Sequence, residues 1–180
     1  MREIWDVYNS TSEHTGKKVA RGEYTFKDDE YHLIVNTWLY NSEGQLLVQR
    51  RALDKDFYPG VYAAHGGCVL SGETSVEGSI RETFEEIGIL IREDELTHFV
   101  KGVTDNGIFD SYICYKDVSI DEVVIDEEEV HSCKYMSIKE VIERSLDGSF
   151  FNYLEHYGMS YFESIEDHMT KHLKGYRRLL

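Results

Sequence analysis

The chain has one proline among 180 residues, Pro59, and three cysteines, Cys68, Cys114 and Cys133. It has no Ser/Gly-rich linker, internal repeat or low-complexity tract, and no apolar run of the length a membrane span needs. Without a compositional break, the sequence is expected to form one domain over residues 1–180: an N-terminal hairpin over 1–30, a core over 31–147 and C-terminal helices over 148–180. An odd number of widely spaced cysteines makes no disulfide framework and suits reduced thiols. The first residues, "MREIWDVYNSTSEH", are charged and lack an apolar leader core, so the expected location is the cytoplasm. Basic residues are also scarce, with 19 Lys and Arg against 34 Asp and Glu, a formal net charge of −15. Nucleic acid and anionic membrane both require a basic surface, so neither is an expected partner. A small anionic substrate remains compatible with this charge if a metal cation or a local Arg/Lys cluster screens it.

The 41% hydrophobic and 13% aromatic content is enough to bury a sizeable core. "EIWDVYN" and "KKVARGEY" read as strands around a turn-rich segment, and "YHLIVNTWLYN" with "QLLVQRR" reads as a hairpin across "SEG". "VYAAHGGCV" reads as another strand, its paired Gly66 and Gly67 allowing close backbone approach. A helix is expected over 74–87, entered through Ser71, Gly72 and Thr74 and left at Gly88. Strands are expected at "LTHFVKGVT", "IFDSYICYKDV" and "EVHSCKYMS". A helix with apolar Ile138, Val141, Ile142 and Leu146 follows, then a terminal helical pair from about Phe150 to Leu173. Strands with one helix between them and helices at the end describe an α/β layered fold with a mixed sheet. The aromatic residues of the last helices, Phe150 to Phe162, are read as core, with a homodimer interface or a pocket wall as the alternative uses. The basic end, "KHLKGYRRLL", is read as favourable charge at a helix C-terminus.

Within the central helix, Val76, Ile80, Phe84 and Ile87 fall within about 80° and form the expected buried stripe. Glu82, Glu85 and Glu86 fall within about 100° on the other side. Like charges so placed repel, so either solvent screens them or a cation sits among them. A hard divalent ion such as Mg²⁺ takes oxygen ligands of this kind. The bland reading is a solvated acidic face. The wider spacing decides against it: Gly67, Glu73, Arg81, Glu82, Glu85, Glu86 and Gly88 form G-x5-E-x7-R-E-x-x-E-E-x-G. A chance match at one start is on the order of one in 10⁸ at average residue usage.

This stretch resembles the Nudix box, the signature of the Nudix hydrolases. Every fixed position is met, with Thr83 at a usually aliphatic position as a mild departure. The resemblance implies an α/β/α sandwich with a mixed sheet and a loop–helix–loop catalytic box that binds Mg²⁺ or Mn²⁺ and splits a diphosphate linked to another group. It implies that Glu82, Glu85 and Glu86 bind metal, with a backbone carbonyl of Gly66 or Gly67 as a further ligand. Glu82 is a candidate base, while Glu73 and Arg81 hold the box together as an ion pair. A later acidic loop often adds a ligand or base in this family. Here that loop is "DEEEV", with Glu129 as the candidate and a solvated acidic turn as the competing reading.

The region from Tyr31 to Tyr62 also resembles isopentenyl-diphosphate isomerases, a branch of the same superfamily. By that resemblance Arg51 and Lys55 bind diphosphate; Arg50 is as readily a solvated strand charge. His32 matches one of the isomerase's metal-site histidines. Elsewhere the chain departs: Gly67 stands where the isomerase has its catalytic cysteine, Val69 where it has a second histidine, and Asp110 and Tyr112 where it has paired glutamates. Thr25 stands near the first histidine's place. Cys68 is one residue off, and a one-residue slip in a strand turns a side chain to the other face. His65 is read as a hydrogen-bonded structural residue and is left out of the metal set. The expected activity is therefore metal-dependent hydrolysis of a small-molecule diphosphate, with isomerase-like activity and a non-catalytic metabolite-binding module as the alternatives.

Overall fold

The computed structural model describes residues 2–105 and 107–177. Arg178, part of the basic end read as helix-terminal charge, lies outside the described residues. The strands are β1 (Ile4–Tyr8), β2 (His14–Ala20), β3 (Leu33–Tyr40), β4 (Leu46–Arg51), β5 (Tyr62–Ala63), β6 (Thr97–Thr104), β7 (Gly107–Tyr115) and β8 (Val130–Met136). The helices are α1 (Ser75–Ile87), α2 (Ile138–Asp147), α3 (Tyr153–Tyr157) and α4 (Met159–Arg177). β1 and β2 form a separate antiparallel hairpin. The others form one mixed sheet in the order β5-β4-β3-β7-β6, with β8 on β4. β3 and β7 run parallel, and the remaining pairs are antiparallel.

Strand alternation sorts the core into two layers. Trp38 and Tyr40 of β3, Leu46 and Val48 of β4 and Phe109 and Ile113 of β7 pack on one face against α2, α3 and α4. Val35, Leu39, Leu47, Ile108 and Cys114 occupy the opposite face, the one that carries α1 with its buried Ile87. The result is the expected α/β/α sandwich. The aromatic residues of the last helices are core: Phe150, Tyr153, Tyr161 and Phe162 surround Trp38, whose Nε1 donates to Tyr161 Oη at 2.8 Å.

Two expectations shift. The hairpin of β3 and β4 is ladder-paired only at Leu39↔Leu47 and Tyr40↔Leu46; beyond those pairs β4 diverges and pairs with β8 along its length. The segment from His65 to Val69 fills the space beside β3. Thr37 and His65 exchange backbone hydrogen bonds at 2.7 and 3.2 Å, Val35 N donates to Gly67 O at 2.9 Å, and Val69 N donates to Leu33 O at 2.9 Å. Regular strand is therefore confined to Tyr62–Ala63, and Gly66 breaks the rest with φ of 140°. The second shift is in the helices. Phe84 is 53% exposed and Leu146 74% exposed, so neither belongs to the apolar stripe expected of it. α1 is turned so that Ser79, Thr83, Glu86 and Ile87 face the sheet.

Candidate active site

α1 is set by its two ends. Thr74 caps its N-terminus, its Oγ1 accepting from Glu77 N while Glu77 returns a bond to Thr74 N, which satisfies two otherwise orphaned donors. Gly88 ends it in the left-handed conformation, its N–H donating to Phe84 O. The loop entering α1 is held from outside by Asp6 of β1, which accepts from Ser71 Oγ and Gly72 N at 2.9 Å each. Its exit is fixed by Asp126 N donating to Glu86 O at 3.1 Å, which docks the acidic loop on the helix.

The expected Glu73–Arg81 pair is present and bidentate, with Nε on Oε1 at 2.8 Å and Nη2 on Oε2 at 3.0 Å. Arg81 reaches further. Its Nη1 donates to Glu82 Oε1 at 2.8 Å and Glu85 Oε2 at 2.9 Å, and its Nη2 to Cys68 O at 3.0 Å. One guanidinium thus joins three of the box carboxylates to the strand segment beneath them. Burial opposes the charge on Arg81, and these carboxylates overcome it, so its pKa is raised.

The glutamates do not share one environment. Glu86 is 5% exposed and lies between helix and sheet. Its Oε1 accepts from Gln49 Nε2 at 2.6 Å, its Oε2 accepts from Gly66 N at 3.1 Å, and His65 Nδ1 lies 3.5 Å from Oε2. Glu82 packs over Gly67, where a Cβ would come within 2.7 Å of Oε2. Burial, opposed by Arg81 and reinforced by the charges of Glu86 and Glu85, pushes the Glu82 carboxyl up to about 7. Glu85 is on the rim, its side chain 55% exposed. Gly66 has a sterner requirement than Gly67, since a Cβ there would come within 2.0 Å of Val35 O. Glu82 and Glu86 therefore both meet the Gly66–Gly67 segment, Glu82 over Gly67 and Glu86 at the Gly66 N–H.

These groups fit a hard divalent cation by chemistry: oxygen donors only, two of them on largely buried carboxylates whose mutual repulsion a cation relieves. Among the described residues no three His, Cys, Asp or Glu side chains enclose an ion by themselves. Mg²⁺ ordinarily keeps several waters and substrate oxygens, so a complete protein cage is not required. The Gly67 carbonyl already accepts from Val35 N, which leaves one lone pair for any further ligation.

The remaining expected residues make contacts of their own around the loop that follows β4. Lys55 Nζ and Glu129 Oε1 are 2.6 Å apart, and Ala52 N donates to Glu129 O at 2.9 Å, so the 52–61 loop and the acidic loop are joined. Arg51 Nε donates to Phe57 O at 3.2 Å and Arg50 Nε to Gly60 O at 2.8 Å; both brace that loop from β4. His65 is fully buried. A carbonyl can only accept, so its Nε2, 3.1 Å from Leu47 O, carries the hydrogen and Nδ1 faces Glu86. Gln49 was not anticipated from the sequence. Its only signal there is one amide directly after the apolar run Leu46–Val48.

A capped helix whose buried carboxylates meet a diglycine segment on a mixed sheet, inside an α/β/α sandwich, is the build of a Nudix-type domain. The sequence model of the NUDIX domain matches residues 30–155, and the chain belongs to that family. It is similar to an uncharacterized Nudix hydrolase of Listeria monocytogenes, 34% identical over 158 residues, covering 84% of this chain and 89% of that protein. It is also similar to an isopentenyl-diphosphate Delta-isomerase of Escherichia coli, 33% identical over 128 residues, covering 68% of this chain and 70% of that one. Among solved structures, a Deinococcus radiodurans protein superposes with a TM-score of 0.69 at 24% identity, covering 81% of this chain and 90% of that chain, a likeness of fold. The chain is a Nudix hydrolase, an enzyme of the class that cleaves pyrophosphate-type linkages.

Proposed function

We propose that this enzyme hydrolyses a small-molecule diphosphate linkage, a nucleoside diphosphate joined to another group or a related organic diphosphate, in a divalent-metal-dependent reaction that releases a monophosphate. The observation that carries this reading is the convergence of Glu82 and Glu86 on the Gly66–Gly67 segment. Glu82, Glu85, Glu86 and the Gly67 carbonyl would hold Mg²⁺ or Mn²⁺. When bound, the ion neutralises diphosphate charge and makes water more acidic.

The protein's own groups supply the rest. Lys55 and Arg51 bind the diphosphate, and Lys55 must exchange its contact with Glu129 for one with substrate. Glu82 and Glu129 are the two candidate bases. Glu82 stands over Gly67; Glu129 is freed when Lys55 turns to substrate. A base acting at the attacking water contributes roughly 10²–10⁴-fold. Arg81 orients Glu82 by holding one of its oxygens.

The isomerase reading has the Escherichia coli relative in its favour. The groups that such chemistry would use speak against it. Cys68 pairs with Ile34, so strand alternation turns it to the face opposite Gly67, and burial pushes its thiol up to about 12. His32 stacks on Trp5 with ring centroids 4.8 Å apart, and burial lowers its pKa to about 4. Asp110 is engaged by His98 at 3.0 Å.

The test is a panel of nucleoside and organic diphosphates with Mg²⁺ or Mn²⁺, run beside isopentenyl diphosphate. A monophosphate product that Glu86→Gln abolishes at intact fold supports hydrolysis. Dimethylallyl diphosphate as the product from isopentenyl diphosphate would replace this reading with the isomerase. Tight metabolite binding without turnover would favour a binding module.

A further inference from the structure

The face of α1 turned to the sheet is polar where an apolar stripe is the simpler solution. Ser79, Thr83 and Glu86 lie on it, and Thr37, Gln49 and His65 come from the strand segments beneath. Gln49 is the least expected of these. Its neighbours on β4, Leu46, Leu47 and Val48, are fully buried and apolar, and position 49 is itself 1% exposed. Its Nε2 meets two acceptors, Glu86 Oε1 at 2.6 Å and Ala64 O at 3.4 Å. Both oxygens require the NH₂ group, which fixes the amide's orientation and turns Gln49 Oε1 away. That Oε1 is buried without a hydrogen-bond partner among the described residues. A buried orphan acceptor is a net cost, and a leucine or valine at this position would avoid it. Stability of the strand therefore does not account for a glutamine here. What the residue provides is a directed N–H on a carboxylate that already accepts from Gly66 N on its other oxygen.

We propose that Gln49 is the positioning residue for Glu86: it holds the carboxylate from the sheet side in the orientation that Glu86 presents beside the Gly66–Gly67 segment. The inference rests on the reading above that Glu86 binds the divalent ion. Groups that orient a metal-binding carboxylate typically change affinity by about 10–100-fold when removed. The effect is read directly in ion binding.

The experiment measures Mn²⁺ binding directly, by the loss of the free-ion paramagnetic resonance signal, on wild type, Gln49→Met, Gln49→Asn and Glu86→Gln. Circular dichroism verifies the fold of each. Gln49→Met keeps length and removes the donor; Gln49→Asn keeps the amide and withdraws it by one methylene, and carries the test if the methionine variant does not fold. The expected result is Mn²⁺ dissociation and metal-activation constants raised about 10–100-fold in Gln49→Met and by less in Gln49→Asn. Unchanged Mn²⁺ affinity in a folded Gln49 variant, with Glu86→Gln still weakened, overturns the positioning role. Unchanged affinity in Glu86→Gln overturns the underlying reading, and the proposal with it.

Discussion

Lys55 and Glu129 meet at 2.6 Å, joining the loop after β4 to the acidic loop that docks on α1. The group proposed to bind diphosphate and a group proposed to accept a proton thus neutralise each other in the protein alone. Lys55→Met is expected to raise KM about tenfold with a smaller effect on kcat. Glu129→Gln frees Lys55, so KM stays level or falls; if Glu129 is the base, kcat drops on the order of 10²-fold. Steady-state kinetics on both variants separate the roles, and an unchanged kcat in Glu129→Gln assigns the base to Glu82.

Arg81 contacts Glu73, Glu82, Glu85 and the Cys68 carbonyl, and a lysine cannot reproduce a forked bidentate contact. Arg81→Lys is expected to lose roughly 2–4 kcal/mol of stability, because partly buried carboxylates are left facing one another. A thermal or urea melt of the metal-free protein reads this. A loss below 1 kcal/mol would mean that solvent takes over Arg81's contacts.

Glu82 gives the metal-free enzyme a pH signature. Its folded-state pKa is about 7, against an ordinary value of 4.5, so the folded state prefers the protonated form. The contribution to stability is fully present below about pH 4.5 and is lost as pH rises through 7, with an upper bound of ~3.5 kcal/mol at about 1.4 kcal/mol per unit. Melting of the EDTA-treated protein between pH 5 and 8 should show wild type losing ground to Glu82→Gln. Saturating Mg²⁺ should reverse the order. Parallel curves for the two proteins would contradict the assignment.

Adjacent glycines should respond differently to alanine. At Gly66 the new Cβ meets backbone, Val35 O at 2.0 Å, and φ is 140°; at Gly67 its nearest contacts are with the end of the Glu82 side chain. Gly66→Ala is expected to abolish soluble folded protein. Gly67→Ala should fold, displace Glu82 and lose most activity. Expression, circular dichroism and turnover together test the contrast, and a fully active Gly67→Ala would remove Glu82 from the site.

The Nudix box, the α/β/α architecture and the Glu73–Arg81 pair were all legible in the sequence, because fixed spacing and cap residues are local signals. The helix face was not. Periodicity favours Phe84 over Thr83 for burial, yet Phe84 is exposed and Thr83 is buried, its Oγ1 bonded to Ser79 O at 2.8 Å. The helix is turned so that the Glu86 carboxylate lies between it and the sheet, and a hydropathy pattern contains no term for a buried charge. Gln49 and the departure of β4 from β3 escaped for a related reason. Both depend on which segment lies beside β3, and that pairing joins residues about thirty positions apart.

The strip from His65 to Val69, hydrogen-bonded to β3, makes the box a shared possession of helix and sheet. Transplanting residues 67–89 alone onto another helical scaffold would carry the acidic residues but leave behind Val35, Gln49 and Asp126, which aim and anchor them. Variation that keeps the box intact while altering β3 or β4 can therefore silence the enzyme without touching a single residue of its signature.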